Sequence, residues 1–341
     1  MKAVRLHGKG DLRVESVPRP GPLQAGDVRI AVSAAGICGS DIHNFRTGQW
    51  ITRAPSIAGH EFAGRVTEVG EDVTSFREGD AVAADSRVWC GTCPACATGQ
   101  RHLCNKLGFV SELCDGGFAA EVVLPQRLLH KLPDGLSMHV AATAEPFAVA
   151  LHAVRRLRLS KGEPVFILGC GPIGGFCAVV LAHLGFGPVY VDDRNPARVA
   201  AVTAATGAQA AHLSADGIRL PDGERAIAAA IDATGNVAAL KDLLATLPGG
   251  GRVALVGISH GTLDLDPNIL VERELALLGC HAFSDELPEA IAMLPACAAM
   301  IEPLLGPGIS LDDVPAAYAA MIAGKVDHLK TVIHIAPGIA T

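Results

Sequence analysis

The chain has 341 residues, half of them apolar, with a formal charge of -7 and ten cysteines. Single hydrophobic cores stop growing at about 250–300 residues, so two domains are expected. The negative balance and an isoelectric point near 6.0 speak against nucleic acid or an anionic membrane as partner, because both favour a basic surface.

The N-terminus, Met1-Lys2-Ala3-Val4-Arg5-Leu6-His7, alternates like a strand and lacks the apolar core of a signal peptide. Apolar runs such as 165–191 are broken by Gly and Pro, and none reads as a membrane span. Cysteines without a secretion signal suit metal-binding or core roles in a reducing compartment, so a cytoplasmic location is expected. Up to about residue 135 the pattern is short Val/Ile alternations cut by turn clusters such as Pro18-Arg19-Pro20-Gly21-Pro22 and Glu78-Gly79-Asp80. This predicts a β-rich unit with strands at 64–69 and 80–84, compatible with a partly open barrel.

Within that unit, Cys38-Gly39-Ser40-Asp41-Ile42-His43 and Gly59-His60-Glu61-Phe62 concentrate reactive side chains. Cys38, His60 and Glu61 offer the thiolate, imidazole and carboxylate that zinc takes most readily. Ser40 and His43 supply a hydroxyl and an imidazole able to carry a proton away. Further on, Cys90, Cys93, Cys96 and Cys104 are spaced C-x2-C-x2-C-x7-C, four thiolates from one short loop. Structural zinc is held in this way, in a closed site with no open position for catalysis. Four thiolates also suit an iron–sulfur centre, although no second redox cluster accompanies them.

Near residue 140 the pattern changes. Residues 144–154 have helical character with Pro146 in the first turn and Glu145 beside it, a carboxylate that the helix dipole favours and that could also reach a metal. From Pro164 apolar strands (165–168, 189–191, 229–233, 252–256, 276–278) alternate with Ala-rich helices, which predicts a parallel sheet covered on both faces. The first turn reads Gly169-Cys170-Gly171-Pro172-Ile173-Gly174 between strand and helix, the context in which G-x-G-x-x-G binds a dinucleotide. Its backbone can approach a pyrophosphate at the helix N-terminus. About twenty residues on, Asp193 ends the second strand, where a carboxylate grips the ribose and selects NAD over NADP; Arg194 beside it could instead meet a 2′-phosphate. Arg198, Thr234, Gly235, Val256 and Gly257 complete the expected cofactor contacts. The remaining cysteines, Cys114, Cys170, Cys177, Cys280 and Cys297, sit singly in apolar runs and read as core.

These motifs, in this order across nearly the whole chain, resemble the zinc-containing medium-chain dehydrogenase/reductase (alcohol dehydrogenase) family. The likeness is to its polyol branch of sorbitol, butanediol, idonate and threonine dehydrogenases. The resemblance implies an α/β plus β-rich fold. A GroES-like catalytic domain (1–150, with a zinc lobe at about 88–106) would be followed by a Rossmann domain with a doubly wound parallel sheet (151–286). A C-terminal segment (287–341) would complete the first domain. It further implies two zinc ions and NAD, a secondary alcohol oxidised reversibly to a ketone, and homodimers or homotetramers. Cys38 and His60 would ligate the catalytic zinc, with Glu61 as third ligand and Glu145 reaching the metal directly or through water; from sequence the two carboxylates are interchangeable. Ser40, the nicotinamide ribose and His43 would relay the proton. Cys280-His281-Ala282-Phe283 stands where sorbitol dehydrogenases carry an Arg-Tyr pair, so a vicinal diol, a sugar alcohol and a sugar-acid alcohol all stay open. Two other readings are a non-catalytic NAD(H)-binding regulator and a zinc-free enone or quinone reductase. The intact relay and metal-ligand set argues against the first, and the cysteines against the second.

Overall fold

The computed structural model describes residues 1–335 except 222, 224, 225 and 260. The first unit is built on the strand Asp27–Gly36, whose apolar residues Val28, Ile30, Val32 and Ala34 are buried. It pairs antiparallel with Glu61–Val69 and Glu121–Pro125, and at its far end with Val332–His334 from the C-terminal segment. Ala81–Ala84 and Leu129–Lys131 extend the sheet beyond Glu61–Val69. The predicted strands at 64–69 and 80–84 are thus direct partners, with Ala63 opposite Ala83. A second sheet of Asp11–Ser16, Lys2–Gly8 and Ser56–Ile57 closes over a core that includes Val4, Ile30, Phe62, Phe118 and Tyr318.

The second unit is a parallel sheet in the order Gln209–Ala210, Val189–Asp192, Val165–Leu168, Ala229–Asp232, Arg252–Leu255, Ala276–Gly279. Side chains alternate faces along a strand, and here the alternation divides two cores. Val165, Ile167, Val191 and Ile231 pack with the helices Ala144–Arg156, Pro172–Leu184 and Leu287–Ile301. Phe166, Leu168, Tyr190 and Ala230 pack with Leu240, Leu243 and Leu244 of the helix Val237–Thr246. Both faces are covered, which is why these strands are continuously apolar. The edge strand Gln209–Ala210 and the hairpin His212–Ser214/Gly217–Arg219 left no sequence signal, being too short to show a period.

The C-terminal segment serves both units. Its helix buries Leu287, Ala290, Ile291, Leu294, Cys297 and Ile301 against the parallel-sheet unit, while Val332–His334 joins the first sheet. The stretch Leu287–Leu304 has a mean hydropathy of 1.3, and the i, i+3, i+4, i+7 spacing of its buried residues is that of a core helix.

Candidate active site

Strand register brings the first ligands together. Gly36 lies opposite Glu61, so the chain leaving one strand at Cys38 meets the chain entering the other at His60. The approach is close: a Cβ at Gly36 would sit 2.3 Å from Glu61 Oε2 and 2.7 Å from Lys330 Cε. Cys38 caps the helix Gly39–Thr47, and its N–H donates to Asp41 Oδ2 at 2.9 Å. Asp41 Oδ1 is also 3.4 Å from His60 Nδ1, and Ser40 Oγ is 3.4 Å from His60 Nε2. Ligand atoms of Cys38, His60 and Glu61 all lie within 4.8 Å of one another.

The electrostatics suit a cation. Burial alone would strip the proton from His60, yet Asp41 and the Cys38 sulfur hold its pKa well above the ordinary histidine value. Glu61 is wholly buried; Oε2 contacts Lys330 Nζ, while Oε1 has no hydrogen-bond partner among the described residues. A buried carboxylate oxygen without a donor is costly, and a metal ion would supply the missing partner. The residues therefore fit zinc.

Glu145, in the first turn of Ala144–Arg156, is buried but does not meet the 4.8 Å mutual distance. Its Oε1 accepts a 2.6 Å hydrogen bond from Ser86 Oγ. Burial pushes its carboxyl up to about 7, opposed by His60 and reinforced by Glu61. His43 stacks on Trp50 with ring centroids 4.2 Å apart, and its Nε2 is 3.0 Å from Gln49 Oε1. Phe45 packs edge-on against Tyr318, in the core of the first unit.

The four cysteines of the lobe also gather within 4.8 Å of one another. Cys93 caps the short helix Pro94–Ala97, and Cys104 Sγ accepts from the N–H groups of Cys90 and Lys106, each at 3.3 Å. Hydrogen bonds from Thr92 pull Cys90 down to about 6, whereas burial pushes Cys96 up to about 11. Donors converging on sulfur favour thiolates, the form that a metal needs.

In the parallel-sheet unit, the Gly169–Gly174 turn joins Val165–Leu168 to Pro172–Leu184. A Cβ at Gly174 would lie 1.8 Å from Gly169 O, whereas one at Gly171 would meet nothing within 4 Å. The third glycine lets helix and strand close up, and the second leaves the approach open. A cavity of about 470 Å³ runs from here, lined by Gly169, Gly171, Asp193, Arg194, Arg198 and Thr234 among others. Asp193 accepts from the N–H groups of Cys170 at 2.7 Å and Asn195 at 2.8 Å. Arg198 donates to Val326 O, and its buried Nε has no hydrogen-bond partner among the described residues. Pro172 and Ile173 form the helix's first turn. Gly235, Val256 and Gly257 follow neighbouring strand ends, where Gly257 packs on the Gly235 backbone.

Sequence reasoning missed Lys330 and Ser86. Each is a lone polar residue whose partner is remote in sequence, so no spacing announced it. Asp41 lay inside a motif without a role, although its position three residues after Cys38 is that of a capping box.

The model for the alcohol dehydrogenase GroES-like domain matches residues 24–134, and that for the zinc-binding dehydrogenase matches residues 172–296. A sorbitol dehydrogenase of Bacillus subtilis is 32% identical, with 98% of this chain and 97% of that protein covered. An L-threonine 3-dehydrogenase of Anaeromyxobacter dehalogenans is also 32% identical, covering 88% and 89%. Among solved structures, a short chain alcohol dehydrogenase from Escherichia coli complexed with NADH has a TM-score of 0.88 at 28% identity, covering 98% and 99%. The 2R,3R-butanediol dehydrogenase of Bacillus subtilis has a TM-score of 0.85 at 28% identity, with the same coverage.

Proposed function

Because this chain belongs to the zinc-dependent alcohol dehydrogenase family and is an NAD-dependent oxidoreductase of CH–OH donors, we propose that Cys38, His60 and Glu61 hold its catalytic zinc. The substrate is then a secondary alcohol of the polyol, vicinal diol or sugar-acid kind. The observation carrying this reading is the 4.8 Å grouping of the three ligand atoms, with His60 and Glu61 buried and Cys38 half-buried, and Ser40 Oγ against His60. When bound, zinc polarises the substrate hydroxyl as a Lewis acid and NAD accepts the hydride.

The chain's own residues orient the reactants and move the proton. Ser40 Oγ accepts the hydroxyl proton, and His43, fixed by Trp50 and Gln49, delivers it to solvent. Asp41 holds the His60 ring by Nδ1, as carboxylates do for metal-bound histidines. Glu145 stands in reserve beyond the three ligands, anchored by Ser86, and would reach the metal directly or through water. Gly169, Gly171 and Gly174 admit the pyrophosphate to the N-terminus of Pro172–Leu184, Asp193 takes the adenosine ribose, and Thr234, Gly235, Val256 and Gly257 flank the nicotinamide half. The lobe of Cys90, Cys93, Cys96 and Cys104 holds a second, structural zinc. We divide the chain into a catalytic unit of 1–150 and 287–341 and a coenzyme unit of 151–286, and expect a cytoplasmic homodimer or homotetramer.

The deciding experiment follows NAD reduction over butanediols, sugar alcohols, sugar acids and threonine, with and without a zinc chelator. Chelator-sensitive turnover of one class is the expected result. Turnover that survives complete removal of the catalytic zinc would overturn the metal assignment.

A further inference from the structure

We propose that Lys330 is a positioning residue for the catalytic metal: an internal counter-cation that holds Glu61 by one oxygen and sets how tightly the pocket grips zinc. The inference rests on the reading of Cys38, His60 and Glu61 as the zinc site. Lys330 is 1% exposed, an expensive place for an ammonium unless it is paired. Its Nζ contacts Glu61 Oε2 and donates to Ile37 O at 2.9 Å. The ammonium is fixed by the backbone as well. Thr331 O accepts from Ile37 N at 3.0 Å, and Val332 pairs with Gly36. The absence of a side chain at Gly36 leaves the space that Lys330 Cε and Glu61 Oε2 occupy. Lys330 thus cannot swing away, and Glu61 Oε1 is left as the oxygen without a partner.

Charge balance explains why a cation belongs there. In ionised form Cys38, Asp41, Glu61 and Glu145 bring four negative charges together. A zinc ion offsets two of these charges, and Lys330 adds a third positive charge directly on Glu61. The same ammonium competes with the metal for Glu61 and repels a divalent ion. A carboxylate hydrogen-bonded to a metal-bound histidine makes that ligand more basic; an ammonium on Glu61 does the reverse.

The test measures zinc affinity by competition with a chromophoric chelator, on the full-length protein stripped of its catalytic zinc and keeping the lobe zinc. Lys330→Met is expected to tighten zinc at least about tenfold, within the range that outer partners of metal ligands command. Lys330→Arg, which keeps the charge, should stay within about threefold of the unaltered protein. Glu61→Gln should weaken zinc by about a hundredfold, and Lys330→Met combined with Glu61→Gln should return most of that loss, a coupling that independent sites would not show. The double variant keeps the packing with a neutral pair, so it carries the test even where the single variant does not fold. In the cobalt-substituted protein the visible band should move for Lys330→Met and not for Lys330→Arg. Unchanged or weaker zinc binding in Lys330→Met, or strict additivity in the double variant, would overturn the proposal. Metal analysis separates the two levels: an unaltered chain that binds only the lobe zinc defeats the site reading and this inference with it.

Discussion

His60 touches Asp41 on one ring nitrogen and faces Ser40 on the other, so replacing it removes a ligand without touching the residues that line the coenzyme cavity. His60→Ala is expected to lose all measurable turnover while NADH fluorescence titration gives an unchanged Kd; chelator-resistant activity in that variant would sink the ligand assignment. Gly174 makes the converse case. A Cβ there would meet Gly169 O at 1.8 Å, and backbone atoms cannot yield as side chains do. Gly174→Ala should therefore weaken NADH binding at least about tenfold and lower stability by about 1–3 kcal/mol, the usual cost of overpacking, with zinc content unaffected. Both residues were legible in the sequence, because a ligand motif and a phosphate turn impose residue types at fixed offsets. Lys330 was not. It lies 293 positions from the carbonyl it donates to, and a single lysine in a mixed segment carries no pattern.

Among the elements, the cysteine lobe was the most readable and is the most dependent on its metal. Beyond the short helix Pro94–Ala97 and the turn Arg101–Leu103 it has little structure, and neither contains a buried residue. Cys93→Ser should release one zinc per chain and lower the melting temperature before it touches the chemistry, measured by metal analysis beside thermal unfolding. The junction of the helices Ala144–Arg156 and Leu287–Ile301 was illegible, since each side looks like an ordinary apolar helix. Glu286 caps the second helix, sits 3.0 Å from His152 Nδ1, and accepts from Ser284 N at 2.6 Å. Burial raises its pKa, but these hydrogen bonds prevail and hold it below the ordinary 4.5. The folded chain then binds fewer protons than the unfolded one in that range. Glu286 accordingly stabilises fully above about pH 4.5, and its contribution fades as the pH falls through the folded value. Urea midpoints taken from about pH 6 down to pH 3 should drop more steeply for the unaltered protein than for Glu286→Gln.

At the scale of the whole molecule, the two-unit architecture could be read from the switch between strand alternation and strand–helix alternation. The tie between the units could not. Asp85-Ser86-Arg87 reaches three ways: Ser86 to Glu145, Asp85 to the Arg87 guanidinium, and Arg87 Nη1 to the carbonyls of Phe283 at 2.6 Å and Ser284 at 2.5 Å. Arg87 also lies 3.9 Å over the Phe283 ring. Removing one member of a buried pair strands the other, so Arg87→Ala should cost about 3–5 kcal/mol in urea unfolding. Arg87→Lys should recover only part, because one ammonium cannot copy the planar fork. Equal stability of Arg87→Ala and the unaltered chain would show that the units are held elsewhere.

The pairing of Val332–His334 with Asp27–Gly36 also orders events in time. A ribosome delivers Cys38, His60 and Glu61 early, yet Lys330 and the strand beside it emerge only after the entire coenzyme unit has been made. Closing so long a loop slows folding, and until it closes Glu61 lacks its Lys330 partner. Lys330 can therefore meet Glu61 only after the whole coenzyme unit between them has been made.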